Sequence, residues 1–275
     1  MSNGQADTFD NAGTCSEYSR LVAARIQSIE RAAAILRLLS GRTRRLGVVD
    51  IAGELGLPKG TVHGLLRTLQ HVGFVEQDAD SGKYQLGAAL LHMGSSYLDG
   101  NELRTRALNW SDSLASRTHE SVRIGTLHEG QVLIVHHVFR PDDSMQTLDV
   151  GALLPAHATA LGKILLAHHP YAAGELAKGG LAAYTDATIT DPEQLERELE
   201  RVRQRGWAAD IGELVGSQVS CAAPIIDRRG LTVGAMGIFG PPERLLAARQ
   251  PRGDLVAFVR EAARSVSREL GAIPW

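Results

Sequence analysis

The chain has very little cysteine. Two residues, Cys15 and Cys221, stand among 275, too few for a disulfide framework or a four-sulfur zinc site, which points to a reducing compartment. Long apolar runs are missing as well. None approaches the ~20 residues that span a bilayer, and residues 1–20 have neither the basic start nor the apolar middle of a secretion signal. The expectation is a cytoplasmic protein with no membrane partner. A strong net charge is also absent, with 29 Lys and Arg against 31 Asp and Glu. The balance hides an asymmetry, because residues 22–97 carry nine basic and six acidic side chains while residues 98–275 carry nineteen and twenty-two. A basic N-terminal part suits an anionic partner.

What the chain does have is periodicity. Ile26, Ile29, Ala33, Leu36 and Leu39 recur at three- and four-residue spacing and predict an amphipathic helix that Gly41 stops. Val48, Ala52 and Leu55 predict a second, ended by Gly56, and a third runs from Pro58 to about His71. After Gly73, "FVEQDADSGKYQL" reads as two short strands around the polar loop Asp78–Gly82. "LGAALLHMGSSYL" and, after the break at Gly100, "NELRTRALNWSDSLASRTHE" read as helices. Beyond them "SVRIGTL" and "QVLIVHHVF" flank the turn "HEG". "MQTLDV", "QVSCAAPII" and "LTVGAMGIF" read as further strands, the last two joined through "RRG". Helices are expected at 158–168, 191–205 and 253–270. The organisation predicted is a disordered tail over 1–21, with Val22 marking the true start, a winged helix-turn-helix DNA-binding domain over 22–85, a linker helix over 86–100 and an α+β domain with a mainly antiparallel sheet over 101–275.

The third helix carries the first functional signal. Val62, Leu65, Leu66 and Leu69 line one side of it, and at 100° per residue the other side holds Gly60, Gly64, Arg67 and His71. Glycine inside a helix costs about 1 kcal/mol relative to alanine. A backbone bared for close approach to base edges or phosphates explains two of them, with Lys59, Thr61, His63 and Arg67 supplying donors around them and Lys83 a further cation in the hairpin. The expected partner is double-stranded operator DNA. One monomer reads too short a site for useful specificity, so a dimer or tetramer is expected, with Leu86, Leu90, Met93 and Tyr97 of the linker helix available for pairing.

The stretches "IQSIERAAAILRLLS", "LGVVDIAGELGLPKGTVHGLLRTLQHVGFVEQD" and "KYQLGAALLHMG", with "LPAHATALGKILLA", "RGWAAD" and "VSCAAPIIDRRG…VGAMGIFGP" later on, resemble the isocitrate lyase regulator family of bacterial transcription factors over about residues 25–271. The resemblance implies a GAF-like second domain that binds a small effector. It implies pocket positions at Ala160 and Leu161 in "HATALGK", Asp210 after "RGW", Ser220 before "CAAP", and Gly237 and Phe239 in "GIFGP". Many relatives carry hydroxyl residues where this chain has Gly237 and Phe239, so the resemblance implies a less polar cup here. "SIERAAAILRLL" and "VLIVHHVFRPDDS" are most similar to the branch that governs glycerol operons. That similarity implies repression and an effector such as glycerol 3-phosphate, glycerol or a small organic acid. Any phosphate is expected at the start of the helix in "PAHATALGK", because Asp210 would repel it and suits ligand hydroxyls instead.

An enzyme is not expected. Ser220, Cys221 and His157 come without a nucleophile elbow, and the glycines of "GAMGIFG" lie in a strand pattern rather than between strand and helix. His136 and His137, adjacent on a strand, point oppositely and share no metal. No catalytic residue, metal or cofactor is therefore assigned. The rival reading is a DNA-independent small-molecule sensor or protein-interaction scaffold whose three helices bind protein.

Overall fold

The computed structural model describes residues 26–41, 45–142 and 145–273. The expected tail, Val22 and Cys15 lie outside the described residues. The chain divides into two compact units between Ser96 and Tyr97.

In the first unit, α1 (Gln27–Leu39), α2 (Val48–Leu55) and α3 (Lys59–His71) precede a hairpin of β1 (Val75–Gln77) and β2 (Tyr84–Leu86). Val62, Leu66 and Leu69 of α3 close on Ile35, Leu39 and Ile51. The face of α1 differs from the expected one. Ile35 and Leu39 are buried, whereas Ile26 and Ile29 are each 63% exposed. The helix packs through Ala32, Ile35, Leu36 and Leu39, and Ile26 only precedes its first turn. Between α2 and α3 the chain reverses at Gly56, whose φ of 61° is the left-handed conformation that glycine adopts most readily. Pro58 caps α3 from one position before it rather than standing inside its first turn. In the hairpin, the Asp78 carboxylate accepts bonds from the amide and hydroxyl of Ser81 at 2.9 and 2.6 Å. These bonds hold its pKa below the usual carboxylate range.

Helix α4 (Ala88–Asp99) follows, and the division between units falls inside it. None of its residues is buried, and Leu91, Met93 and Tyr97 stand exposed.

The second unit is built on a six-stranded sheet in the order β5-β4-β3-β8-β7-β6 with every pair antiparallel. Its strands are β3 (Ser121–His128), β4 (Gln131–Val138), β5 (Leu153–Pro155), β6 (Ala208–Ile211), β7 (Val219–Ile226) and β8 (Thr232–Gly240). Alternation along each strand feeds two cores. Val122, Ile124, Cys221, Met236 and Ile238 pack with α5 (Glu102–Thr118) and α9 (Gly253–Glu269) on one side. Ala222 and Ala235 pack with α6 (Ala160–His168) and α8 (Pro192–Arg205) on the other. Residues 145–149 form no strand, contrary to expectation. Side chains replace ladder bonds there: Gln146 Oε1 accepts from Ser121 Oγ and from the Arg140 amide, both at 2.8 Å, and Gln146 Nε2 donates to the Arg140 carbonyl at 2.9 Å. The short edge strands β5 and β6 and helix α7 (Pro170–Gly179) had no counterpart in the sequence reading.

Candidate functional site

Two surfaces, one in each unit, carry the candidate chemistry. On α3, Lys59, Gly60, His63, Gly64 and Arg67 are exposed and Thr61 is half-buried, while Lys83 is exposed in the hairpin turn. Lys59, Arg67 and Lys83 form no ion pair with any described residue. A side chain built on Gly60 or Gly64 would meet nothing within 4 Å. Packing inside the protein therefore does not require either glycine. The start of α3 is also left open. It has no side-chain cap and no acid in its first turn, whereas Asn101 caps α5, Thr159 caps α6 and Asp191 caps α8. Uncapped first-turn amides with the positive end of a helix dipole suit a phosphate oxygen.

In the second unit, Ala160, Leu161, Asp210, Ser220, Gly237 and Phe239 all line one cavity. The strand alternation explains the grouping: Ser220 shares its face with Ala222, and Gly237 and Phe239 share theirs with Ala235, so all point to the α6 side. The enclosed volume is about 30 Å³, the space of one water molecule. Gly237 is more than a small lining residue. A Cβ there would stand 2.6 Å from the Cys221 carbonyl and 2.9 Å from Ala222 Cβ, so a side chain at this position would not fit without moving β7. Gly237→Ala is expected to destabilise the fold by about 1 to 2 kcal/mol, read as a lower denaturant midpoint at unchanged slope.

Asp210 is 5% exposed. One carboxylate oxygen accepts the Glu213 amide at 2.7 Å and the other accepts the Ser220 hydroxyl at 3.3 Å. Burial pushes its pKa up to about 6, against the pull of those bonds and of Lys163. Lys163, 1% exposed, donates to the Ala209 carbonyl at 3.1 Å and ion-pairs with Glu213. Glu213 is itself pushed up by burial.

Arg123 was missed by the sequence reading and stands at the centre of this wall. Its guanidinium lies 3.3 Å from the centroid of the Phe239 ring and 2.5 Å from the Asp149 carboxylate. Burial lowers its pKa, with Asp149 opposing. Asp149 is held by His137, whose Nδ1 accepts the Asp149 amide at 3.1 Å. His137 is buried beside Phe139 and Phe239, and that burial lowers its pKa, favouring the neutral ring that can accept. A lone charge inside each of two apolar runs, "SVRIGTL" and "LGKILLA", was the available signal for Arg123 and Lys163.

Residues 28–79 match the model of the IclR helix-turn-helix domain, and residues 95–268 match that of the bacterial transcriptional regulator IclR C-terminal region. The chain is 57% identical over 251 residues to the glycerol operon regulatory protein of Streptomyces coelicolor, covering 91% of this chain and 99% of that one. The protein of the same name from Streptomyces griseus is 54% identical over the same shares. Among solved structures, an IclR transcriptional regulator from Alicyclobacillus acidocaldarius is 28% identical with a TM-score of 0.76, covering 90% of this chain and 100% of that one. An IclR homolog from Microbacterium hydrocarbonoxydans, complexed with 4-hydroxybenzoate, is 26% identical with a TM-score of 0.75 over 89% and 99%.

Proposed function

The chain belongs to the IclR family of bacterial transcriptional regulators, and from that premise we propose that it represses a glycerol operon and that a small effector in the second unit changes its affinity for operator DNA. The observation that carries the DNA half is the open face of α3, with two bare glycines, an uncapped start and unpaired cations. An α-helix fits the major groove of B-form DNA, and the helix before it holds it across the backbone. In this reading Lys59, Gly60, Thr61, His63, Gly64, Arg67 and Lys83 meet DNA, and Ala160, Leu161, Asp210, Ser220, Gly237 and Phe239 meet the effector. The effector is glycerol 3-phosphate, glycerol or a small organic acid. In this reading the chain divides into a DNA-binding domain over 22–85, a linker over 86–100 whose helix is α4, and an effector-binding domain over 101–275.

Two monomers are needed to fix two half-sites in register, and the uncovered Leu91, Met93 and Tyr97 of α4 give such a dimer an apolar seam. A further pairing through the second units makes a tetramer. Effector binding then favours one arrangement of paired units over another, and a coupling of ~1 to 3 kcal/mol suffices for a several-fold to hundredfold change in operator affinity. We assign no catalysis. Ser220 and Cys221 face opposite sides of β7, burial drives the Cys221 thiol up to about 12, and His157 Nε2 bonds the Ala182 carbonyl.

A mobility-shift assay with the DNA upstream of the chain's own gene, repeated with each effector, tests the proposal. Arg67→Ala is expected to weaken operator binding about tenfold while leaving secondary structure intact. A parent chain that ignores duplex DNA at low ionic strength would overturn the reading.

A further inference from the structure

The cavity of about 30 Å³ is too small for any organic effector. A second cavity of about 560 Å³ adjoins it, lined by Ser121, His137 and Asp149 among others. That volume is within the range of small-molecule sites. Arg123, Phe239 and Gln218 belong to both walls. The outer cavity is thus a vestibule, and the Arg123 guanidinium stacked on Phe239 stands between it and the inner residues Asp210 and Ser220.

Strand register explains how an arginine reaches that place. Arg123 on β3 sits directly opposite Gly237 on β8 and opposite His137 on β4. From there its guanidinium lies over the ring of Phe239 on the neighbouring strand, 3.3 Å from the ring centroid. The cation is held incompletely. Asp149 pairs with it, but Arg123 Nε is buried without a hydrogen-bond acceptor. His137 is left in the same condition. Its Nδ1 accepts the Asp149 amide, which places the ring proton on Nε2, and Nε2 is buried with no partner.

We propose that Arg123 is an anion subsite of the effector pocket, occupied in the ligand-free chain by Asp149, and that the effector is a small polyol bearing a phosphate or carboxylate that takes the place of Asp149. The inference rests on the effector-pocket reading above and names the ligand class. A ligand reaching from the outer cavity to Asp210 and Ser220 passes the Arg123–Phe239 stack that lines both, and a buried guanidinium stripped of its counter-charge is strongly disfavoured. A neutral ligand that displaced Asp149 would strand the cation, and a cationic one would be repelled by it. An anion exchanges one carboxylate for another acceptor and also finds the unmatched Nε. The opposite end of the ligand then lies toward Asp210 and Ser220, whose oxygens accept from hydroxyls. A bare anion leaves those acceptors unused, and a bare polyol leaves Arg123 unpaired. Residues 145–149 are tied down through both Gln146 and Asp149, and the exchange frees the Asp149 tie. Binding is thereby coupled to a rearrangement of this segment.

Calorimetric titration of the full chain with glycerol 3-phosphate, glycerate, glycerol and inorganic phosphate tests the subsite. At least one of the two anionic polyols is expected to bind at least about tenfold more tightly than glycerol, the worth of one charge-assisted hydrogen bond, and more tightly than inorganic phosphate. Arg123→Gln should erase the preference over glycerol. Asp149→Asn, which removes the internal competitor, should tighten the anionic polyol several-fold and leave glycerol unchanged. This second variant answers the question even where Arg123→Gln does not fold, because a purely structural ion pair would lower stability on its loss without moving the anion preference. Glycerol or inorganic phosphate binding as tightly as the anionic polyols, no binding by any of the four, or an unchanged preference in Asp149→Asn overturns the proposal. The mobility shift reports separately. DNA binding with no anion preference sinks the subsite and leaves the regulator, while an anion preference without DNA binding does the reverse.

Discussion

Replacing both Gly60 and Gly64 by alanine is expected to make the first unit more stable and operator binding much weaker. Each glycine lies within α3 and each replacement puts a methyl group into open space. Gly64, inside the helix, therefore gains the usual advantage of alanine, about 1 kcal/mol, and Gly60, in the first turn, gains less. In the proposed function the same methyl groups stand on the side offered to DNA, where they would push the helix backbone away from base edges and phosphates. Loss of a well-placed base contact is worth about 1 to 3 kcal/mol, so two displaced positions are expected to weaken operator affinity about a hundredfold. Equilibrium denaturation and a mobility shift on the same preparation check both halves. The opposite signs make the result hard to misread, since a variant that lost DNA binding by misfolding would lose stability too. A more stable variant that still binds operator as tightly as the parent would remove the bare face from the recognition surface.

The parts of the fold that were legible in the sequence are those set by local geometry. Gly56 and Gly206 end helices with φ of 61° and 72°, as a residue free of Cβ allows. "HEG" makes a two-residue hairpin turn with Glu129 at φ 47° and Gly130 at φ 78°, matching the right-handed twist of β3 and β4. Asp227 begins the turn written "RRG", its amide donating to the Leu231 carbonyl at 2.9 Å. The errors came where tertiary structure overrides periodicity. Ile26 and Ile29 fit the apolar spacing of α1 and yet stand exposed. Met145 and Leu148 make "MQTLDV" look like a strand, but both are exposed and Gln146 and Asp149 tie the segment down through side chains. Strands of three and four residues, as in β5 and β6, are too short to show alternation at all.

The candidate pocket was legible in a different sense. Its six expected residues came from resemblance, and only the shared face of Gly237 and Phe239 was readable from spacing. Period-two alternation says which face a side chain takes but not which residue lies opposite on a strand distant in sequence. The register Arg123↔Gly237 joins positions 114 residues apart, and nothing in either segment announces it. Lys163 was hidden for a related reason. A lysine within a helix is read as a solvated end, yet here the Glu213 carboxylate and the Ala209 carbonyl come from the loop and strand packed over it.

Asp210→Asn is expected to stabilise the protein above pH 6 and to impair effector binding there. In the folded chain the carboxyl has a pKa of about 6 against an ordinary value of 3.8, with desolvation as the leading cause and the neighbouring Glu213 adding to it. Between about pH 4 and pH 6 the folded chain accordingly holds a proton that the unfolded chain has lost, so this group makes stability fall as pH rises through that window. Above the window the penalty is complete, and a pKa rise of that size corresponds to about 3 kcal/mol. Asparagine has no charge to desolvate. Its oxygen can still accept the Glu213 amide, and the Ser220 hydroxyl can turn to accept from its amide group. Urea denaturation at pH 8 should therefore show the variant more stable by up to about 3 kcal/mol, with the two curves converging near pH 4. Effector affinity should move the other way at pH 8, roughly ten- to hundredfold weaker, because a hydroxyl loses a charged acceptor worth about 1.5 to 3 kcal/mol. Below pH 6 the parent protonates and the difference in affinity should shrink. The proposed effector role gives a buried carboxylate held at a loss to the fold a use, as an acceptor kept ready for a ligand. Equal stability of parent and variant at pH 8 would show that Asp210 is solvated well enough to need no such explanation.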